Sequence, residues 1–306
     1  MHCPPLTELP PPRTGSLGWP WTIGTAPLPD AMPDGQPWPS ISIVTPSFNQ
    51  GQFIEHAIRS VLLQGYPRLE LIVVDGGSSD DTGSVMARYA PWFKHWVSEP
   101  DHGPPDALNK GFRVATGDIL GYLNADDFYL PGSLEKVATA FRLHPKADVV
   151  AGHGFFTDEA GALGARVYSD PWNLTRFSYG ACVLFQPSTF FRRPAFESVG
   201  GFKPSRSTWD MELWADLGQN GAGFETEHEY LAAFRLHTVS ITGTSNSRPA
   251  RVEDALIVRE RLTGHPTTPV DRFISSGFRI QRFARHPLRT LRQRLYFHST
   301  LGRWSL

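Results

Sequence analysis

Residues 71–89 read LIVVDGGSSDDTGSVMARY, and this stretch decides the fold. LIVVD is a continuous apolar run closed by an acid and a Gly-Gly pair, the pattern of a strand buried on both faces. Ser78 and Ser79 can cap a following helix, where Asp80 and Asp81 favour the positive end of the dipole. Val85, Met86 and Tyr89 then fall on one side at helical spacing.

Working outward, the same unit repeats. ISIVT (41–45) precedes a helix carrying Phe53, Ile54, Ala57, Ile58, Val61 and Leu62, with Asn49 as its candidate cap. KHWVS (94–98) is a weaker strand, followed by a helix with Ala107, Leu108, Phe112 and Ala115 inward that stops at Gly117. ILGYL (119–123) leads to a helix starting at Pro131, and DVVAG (148–152) makes a fifth strand. This alternation predicts an α/β fold: a Rossmann-like, mainly parallel sheet with helices on both faces. Ligands of such sheets sit outside the carboxyl ends of the strands. The polar clusters 46–50, 75–80, 99–109 and 124–127 all fall there.

Composition bounds the function. With 306 residues and a formal net charge of -1, the chain has no overall basic excess, so nucleic acid is not expected as its main partner. Cys3 and Cys182 form no CxxC pair, which excludes a disulfide framework or zinc ribbon and suits a reducing, cytoplasmic setting. The N-terminus lacks an apolar signal region, and no run of about 18 apolar residues could span a bilayer.

Three segments are expected. Residues 1–40 hold eleven of the 27 prolines and form an irregular extension, either disordered or pinned to the domain by Trp19, Trp21, Ile23 and Trp38. Residues 41–245 form the α/β domain. Residues 246–306 are a basic amphipathic region: 272–303 contains eight arginines and no acid, with a break at Pro287. Such a helical tail suits an anionic membrane surface, or else packs on the domain with a solvated basic face.

The candidate site residues each carry two readings. Asp126 and Asp127 repel one another, so they call for a hard divalent cation or else merely form the turn before Pro131-Gly132. Asp75 before Gly76 and Gly77 can accept from a ribose or base, or cap a turn. Asp106 shares a helix face with Asn109 and Lys110, in a sugar-diphosphate pocket or a surface ion pair. In STWDMELW (207–214), Trp209 can desolvate a neighbouring acid and make a general base. Arg235 and His237, in FRLHTVSIT (234–242), read as a phosphate-facing pair on a strand or as solvated groups.

PSFNQ, VVDGGSSDDT, SEPDHGPPDALNKGF, LNADD, WDMELW and FRLHTVS, in this order, resemble family 2 glycosyltransferases of the GT-A fold over about residues 40–242. The resemblance implies an inverting transferase that uses a nucleoside-diphosphate sugar donor, a saccharide or lipid-linked acceptor and a divalent metal ion, Mn²⁺ or Mg²⁺. On that pattern Pro46, Phe48, Asn49, Asp75 and Gly77 bind the nucleotide, and Asp106, Asn109, Asn124, Ala125, Asp126 and Arg235 belong to the donor site. Asp126, Asp127 and His237 would hold the metal, and Asp210, with Glu212 as its neighbour, would be the catalytic base. Asn124 stands where the family's motif more often has an acid, and Trp209 where many members have Glu. The alternatives are a sugar-phosphate nucleotidylyltransferase, for which PSFNQGQ lacks the Gly-rich basic loop, and a non-catalytic nucleotide-sugar-binding protein.

Overall fold

The structure, a computed structural model, describes residues 3–205, 207–241 and 247–301. Four strands, β1 (Ile41–Ser47), β2 (Leu69–Asp75), β3 (His95–Ser98) and β4 (Ile119–Tyr122), run parallel in the order β3-β2-β1-β4. They are joined by α1 (Ile54–Leu62), α2 (Thr82–Tyr89) and α3 (Pro104–Val114). Strand alternation divides the core in two. Ile41, Ile43, Leu71, Val73 and Ile119 face α1 and α2, while Val44, Ile72, Val74 and Leu120 face α3. Both faces are therefore apolar, as LIVVD required.

Beyond β4 the sheet is mixed, which corrects the expectation of further parallel strands. The remaining strands are β5 (Phe128–Tyr129), β6 (Val149–Thr157), β7 (Leu163–Val167), β8 (Thr189–Arg192) and β9 (Phe224–Arg235). The order continues β4-β8-β6-β9-β5, with β7 antiparallel to the later part of β6, beyond the residues that pair with β8. DVVAG does enter β6, but β8 lies between it and β4, antiparallel to both. Gly121 makes that insertion possible, because a Cβ there would stand 2.6 Å from the Phe190 ring. The final strand ends at Arg235, so His237 lies just past it.

Helix α4 (Ser133–Leu143) covers the α1 face, while α5 (Leu174–Ser178), α6 (Arg193–Ser198) and α7 (Trp209–Gln219) cover the other. Three more helices follow: α8 (Ser247–Thr263), α9 (Pro269–Arg285) and α10 (Pro287–Leu301), with the break before Pro287 as the sequence predicts. Arg303 and residues 242–246 lie outside the described residues. The tail packs on the domain: Arg282 pairs with Asp170 at 2.8 Å, Arg289 covers the Tyr168 ring at 3.6 Å, and Phe297 is buried against Phe156.

Three expected caps take other roles. Asn49 is not the cap of α1; it adopts a left-handed φ of 52° and accepts from the Ser79 amide, tying two strand-end loops together. Ser78 donates to Asp75, so α2 starts later, after Asp81. Gly117 lies beyond the end of α3, where a Cβ would stand 2.5 Å from the Ser42 amide.

The proline-rich extension is pinned to the domain. Trp38 is buried, and Trp19 donates to the Tyr129 carbonyl at 2.8 Å; Ile23 is exposed. Its main anchor comes from α1: the buried Arg59 donates to the carbonyls of Pro10, Pro20 and Trp21 and to the Tyr89 hydroxyl. Pro-rich chain has carbonyls to spare and few amides, so a five-donor guanidinium suits it.

Candidate active site

A cleft of about 500 Å³ opens at the carboxyl ends of β1, β2 and β4. Pro46, Ser47, Phe48 and Gln50 form one wall, Gly76, Asp101 and Gly103 the next, and Asn124, Ala125 and Asp126 the floor. Trp209 and Asp210 close it from α7, and Phe234 with Val239, Ser240 and Ile241 from the segment around and after β9.

The adjacent acids of LNADD separate into two environments. Asp126 faces the cleft, with Oδ2 2.9 Å from His237 Nε2. His237 is buried against the Phe53 ring, and its Nδ1 has no hydrogen-bond partner. Asp127 corrects the expectation of a second metal ligand. It is buried, accepts the Arg235 amide at 3.0 Å and takes a 3.4 Å contact from the Asn124 amide, so its carboxylate is used inside the protein. Burial, then the charge of Asp126, holds Asp127 well above the ordinary carboxylate range.

Arg235 is likewise internal. Its guanidinium lies between the Phe53 and Phe128 rings and donates to the Asp126 and Glu159 carbonyls and to His56 Nδ1. Burial and then Arg235 push His56 down to about 3, so a neutral ring accepts that bond. Arg235 thus shapes the Asp126 loop and does not line the cleft, and Asp126, held from behind by the buried His237, is the acid of this loop that faces it.

Asp210 stands in the first turn of α7, with Oδ1 accepting its neighbour's amide, Met211 N, at 2.8 Å. Burial pushes it up to about 6. The buried Trp209 precedes it, in keeping with the desolvation that STWDMELW predicts, and the Tyr122 hydroxyl lies within its field. Glu212 turns away to Arg261 at 2.8 Å, leaving Asp210 as the α7 acid that lines the cleft.

Buried polar atoms on the cleft wall lack a well-formed hydrogen bond: Ser47 Oγ and Gln50 Oε1 have no partner, while Tyr122 Oη and Trp209 Nε1 have at best a poorly aligned contact with each other. Each such atom costs about 1–3 kcal/mol. A polar ligand in the cleft would relieve that cost.

Several predicted residues stand behind the lining. Asp75 is fully buried, its oxygens taken by Ser78 N, Ser78 Oγ and Ser98 Oγ. Gly77, at φ 82°, lets the chain pass Pro100. Asn109 bonds both the amide and carbonyl of Phe202, and Asp106 pairs with Lys110 and accepts the His102 amide; neither lines the cleft. Sequence reasoning did not single out Ser47, Gln50, Tyr122 and Gln186. The first two lie inside the quoted PSFNQ, at the strand end where a ligand was expected; nothing local marks Tyr122 or Gln186.

Asp126 and His237 offer one carboxylate oxygen and one imidazole nitrogen, a donor set that fits a divalent cation completed by ligand oxygens. Among the described residues no three His, Cys, Asp or Glu side chains gather at metal spacing.

Solved structures share this architecture. The chain superposes on Staphylococcus aureus TarS, solved with UDP-GlcNAc, with a TM-score of 0.60 at 16% identity, over 81% of this chain and 72% of that one. For the mannosyltransferase PcManGT of Pyrobaculum calidifontis, solved with GDP-Man and Mn²⁺, the values are 0.57 and 19%, over 94% and 80%. At these identities the likeness is one of fold. An uncharacterized glycosyltransferase of Mycobacterium tuberculosis is 35% identical over 166 residues, which is 54% of this chain and 63% of that protein. The match thus spans less than two thirds of that relative's length. A PGL/p-HBAD biosynthesis glycosyltransferase of Mycobacterium bovis is 29% identical over 182 residues, 57% of this chain and 69% of that protein. Residues 42–198, just over half of the chain, match the family model for glycosyl transferase family 2, and the chain belongs to that family.

Proposed function

We propose that the protein is an inverting glycosyltransferase that moves a sugar from a nucleoside-diphosphate sugar to a hydroxyl of a saccharide or lipid-linked acceptor, in cell-surface polysaccharide or glycolipid synthesis. The observation that carries this reading is that Asp210 and Asp126, the latter backed by the buried His237, open on one cleft, at the strand ends where this sheet takes ligands.

The acceptor oxygen attacks the anomeric carbon from the face opposite the diphosphate. Asp210 takes the hydroxyl proton, the new carbon–oxygen bond forms, and the diphosphate leaves with the electrons of the old one. A base pushed up to about 6 is ionised at neutral pH yet retains useful proton affinity. A divalent cation held by Asp126 and His237, Mn²⁺ or Mg²⁺, would neutralise charge on the departing diphosphate. Ser47 and Gln50, which lack a partner, and Tyr122 would hydrogen-bond the donor, with Phe48 and Pro46 against the base. The basic helices α9 and α10 support contact with an anionic membrane surface on the cytoplasmic side.

The test is thermal denaturation with UDP, GDP or dTDP, each with and without Mn²⁺ or Mg²⁺. One nucleotide at a hundredfold excess over its Kd should stabilise the chain by about 2.7 kcal/mol in a metal-dependent manner. Asp126→Asn and His237→Ala should remove the metal dependence. Absence of stabilisation by every nucleotide tested would overturn the proposal.

A further inference from the structure

Asp210 and Ser207 line two cavities. Besides the cleft, they border a second space of about 870 Å³ enclosed by α5, the start of α7 and helices α8, α9 and α10. Nothing in the reaction described above uses this space, yet it reaches the proposed base and does not include Asp126 among its lining residues.

Its chemistry is distinctive. Five arginines line it (259, 272, 279, 282 and 294), and Asp210 is the one acid among the lining residues described. Arg282 is paired with Asp170. Arg272, Arg279 and Arg294 have no carboxylate partner among the described residues. Arg259 is only 7% exposed; it pairs with the buried Asp271 at 3.5 Å, a carboxylate shared with Thr268 and Tyr179, and its guanidinium lies over the Tyr179 ring. Arg272, Arg279 and Arg294, without carboxylate partners and gathered round one cavity backed by the buried Arg259, suit an anion with several oxygens. Between the arginines the wall mixes hydroxyl side chains, among them Ser275 and Ser276, with apolar ones, Phe177, Met211, Leu256 and Phe283. Phe283 reaches the surface, beside outward-facing Ile280 and Leu288.

We infer that this cavity is the acceptor site, and that it takes an acceptor whose phosphate or diphosphate group is joined to an apolar chain. The arginines hold the anionic group, the apolar wall receives the chain, and the acceptor hydroxyl meets Asp210 where the two cavities share it. This assignment rests on the transferase reading and names the class of its acceptor. It also gives the arginine-rich tail a task within the domain.

Binding of farnesyl diphosphate, inorganic pyrophosphate and farnesol to the full chain separates the possibilities, measured by calorimetry with and without saturating nucleotide and Mn²⁺. Farnesyl diphosphate should bind at least tenfold more tightly than either fragment, and saturating nucleotide should not displace it. Arg272→Gln/Arg279→Gln, both at exposed positions, should weaken it at least tenfold. Arg259→Gln should do the same, with a melting curve to check its fold. Full displacement by nucleotide, or unchanged affinity in the double variant, would overturn the assignment; so would pyrophosphate binding as tightly as farnesyl diphosphate. The two readings fail separately: nucleotide binding without farnesyl diphosphate binding refutes only the acceptor cavity, whereas the reverse refutes the donor reading.

Discussion

Asp210→Asn should make the protein more stable while it abolishes transfer. In the folded chain the carboxyl rises from 3.8 to about 6 because burial disfavours its charge. At about 1.4 kcal/mol per pH unit, that rise corresponds to about 3 kcal/mol against the charged form. Because Asp210 borders two open cavities, solvent screening reduces this to about 1–2 kcal/mol.

The sign follows from which state holds the proton more tightly. Below 3.8 both folded and unfolded chains are protonated and no cost exists. Between 3.8 and about 6 the folded chain keeps a proton that the unfolded chain releases, so stability falls as pH rises. Above 6 the cost is complete. Asparagine matches the shape, accepts the Met211 amide as the carboxylate does, and carries no charge. The variant should therefore melt about 2–4 °C above the parent at pH 7.5, with the gap closing near pH 4. Parent activity should rise through pH 6, and the variant should lose about 10² to 10⁴ of it while still binding nucleotide. Differential scanning fluorimetry across pH, beside a donor-release assay, reads both quantities. A variant no more stable at pH 7.5, or one with the same gap at pH 4, would refute the burial argument; undiminished transfer would refute the role as base.

Two further outcomes are expected. Arg59→Met leaves the carbonyls of Pro10, Pro20 and Trp21 without their donor, and should cost about 3 kcal/mol or more in urea unfolding and open the extension to trypsin at Arg13; an unchanged midpoint and digestion pattern would show that the extension is held elsewhere. Val270, Phe273 and Ile280 project outward from α9 beside arginines, so the full chain should float with vesicles containing anionic phosphatidylglycerol but not with neutral ones, and Phe273→Ser/Ile280→Ser should reduce flotation severalfold. Equal recovery with both vesicle types would count against a membrane surface there.

The parallel half of the fold was legible because each strand there is buried on both faces, which writes an unbroken apolar run, and because polar residues gather where those runs stop. The mixed half writes weaker signals. β8 is only TFFR, four residues between a turn and α6, and β9 hides its outer portion in the charged FETEHE. Buried charge misleads in a different way. Glu55 and Arg59 are spaced like an exposed helical ion pair, yet all nine residues of α1 are buried because the extension covers its polar face. That cover is a long-range contact, and the tryptophans of residues 19–38 were its one visible sign.

The LNADD motif shows the same limit at closer range. Adjacency suggested that both acids serve one ligand, but successive residues of a tight turn point in different directions, and here one acid enters the cleft while the other enters the core. Once Asp127 is buried it needs donors, and it obtains them from the Arg235 amide and from Asn124. Asn124 also donates to Gln186 Oε1 at 3.1 Å. A carboxylate at 124 could make neither bond as a donor and would add a further negative charge beside Asp126. The amide at this position follows from the burial of Asp127: with asparagine there, the loop can carry one acid inward and still present Asp126 to the cleft.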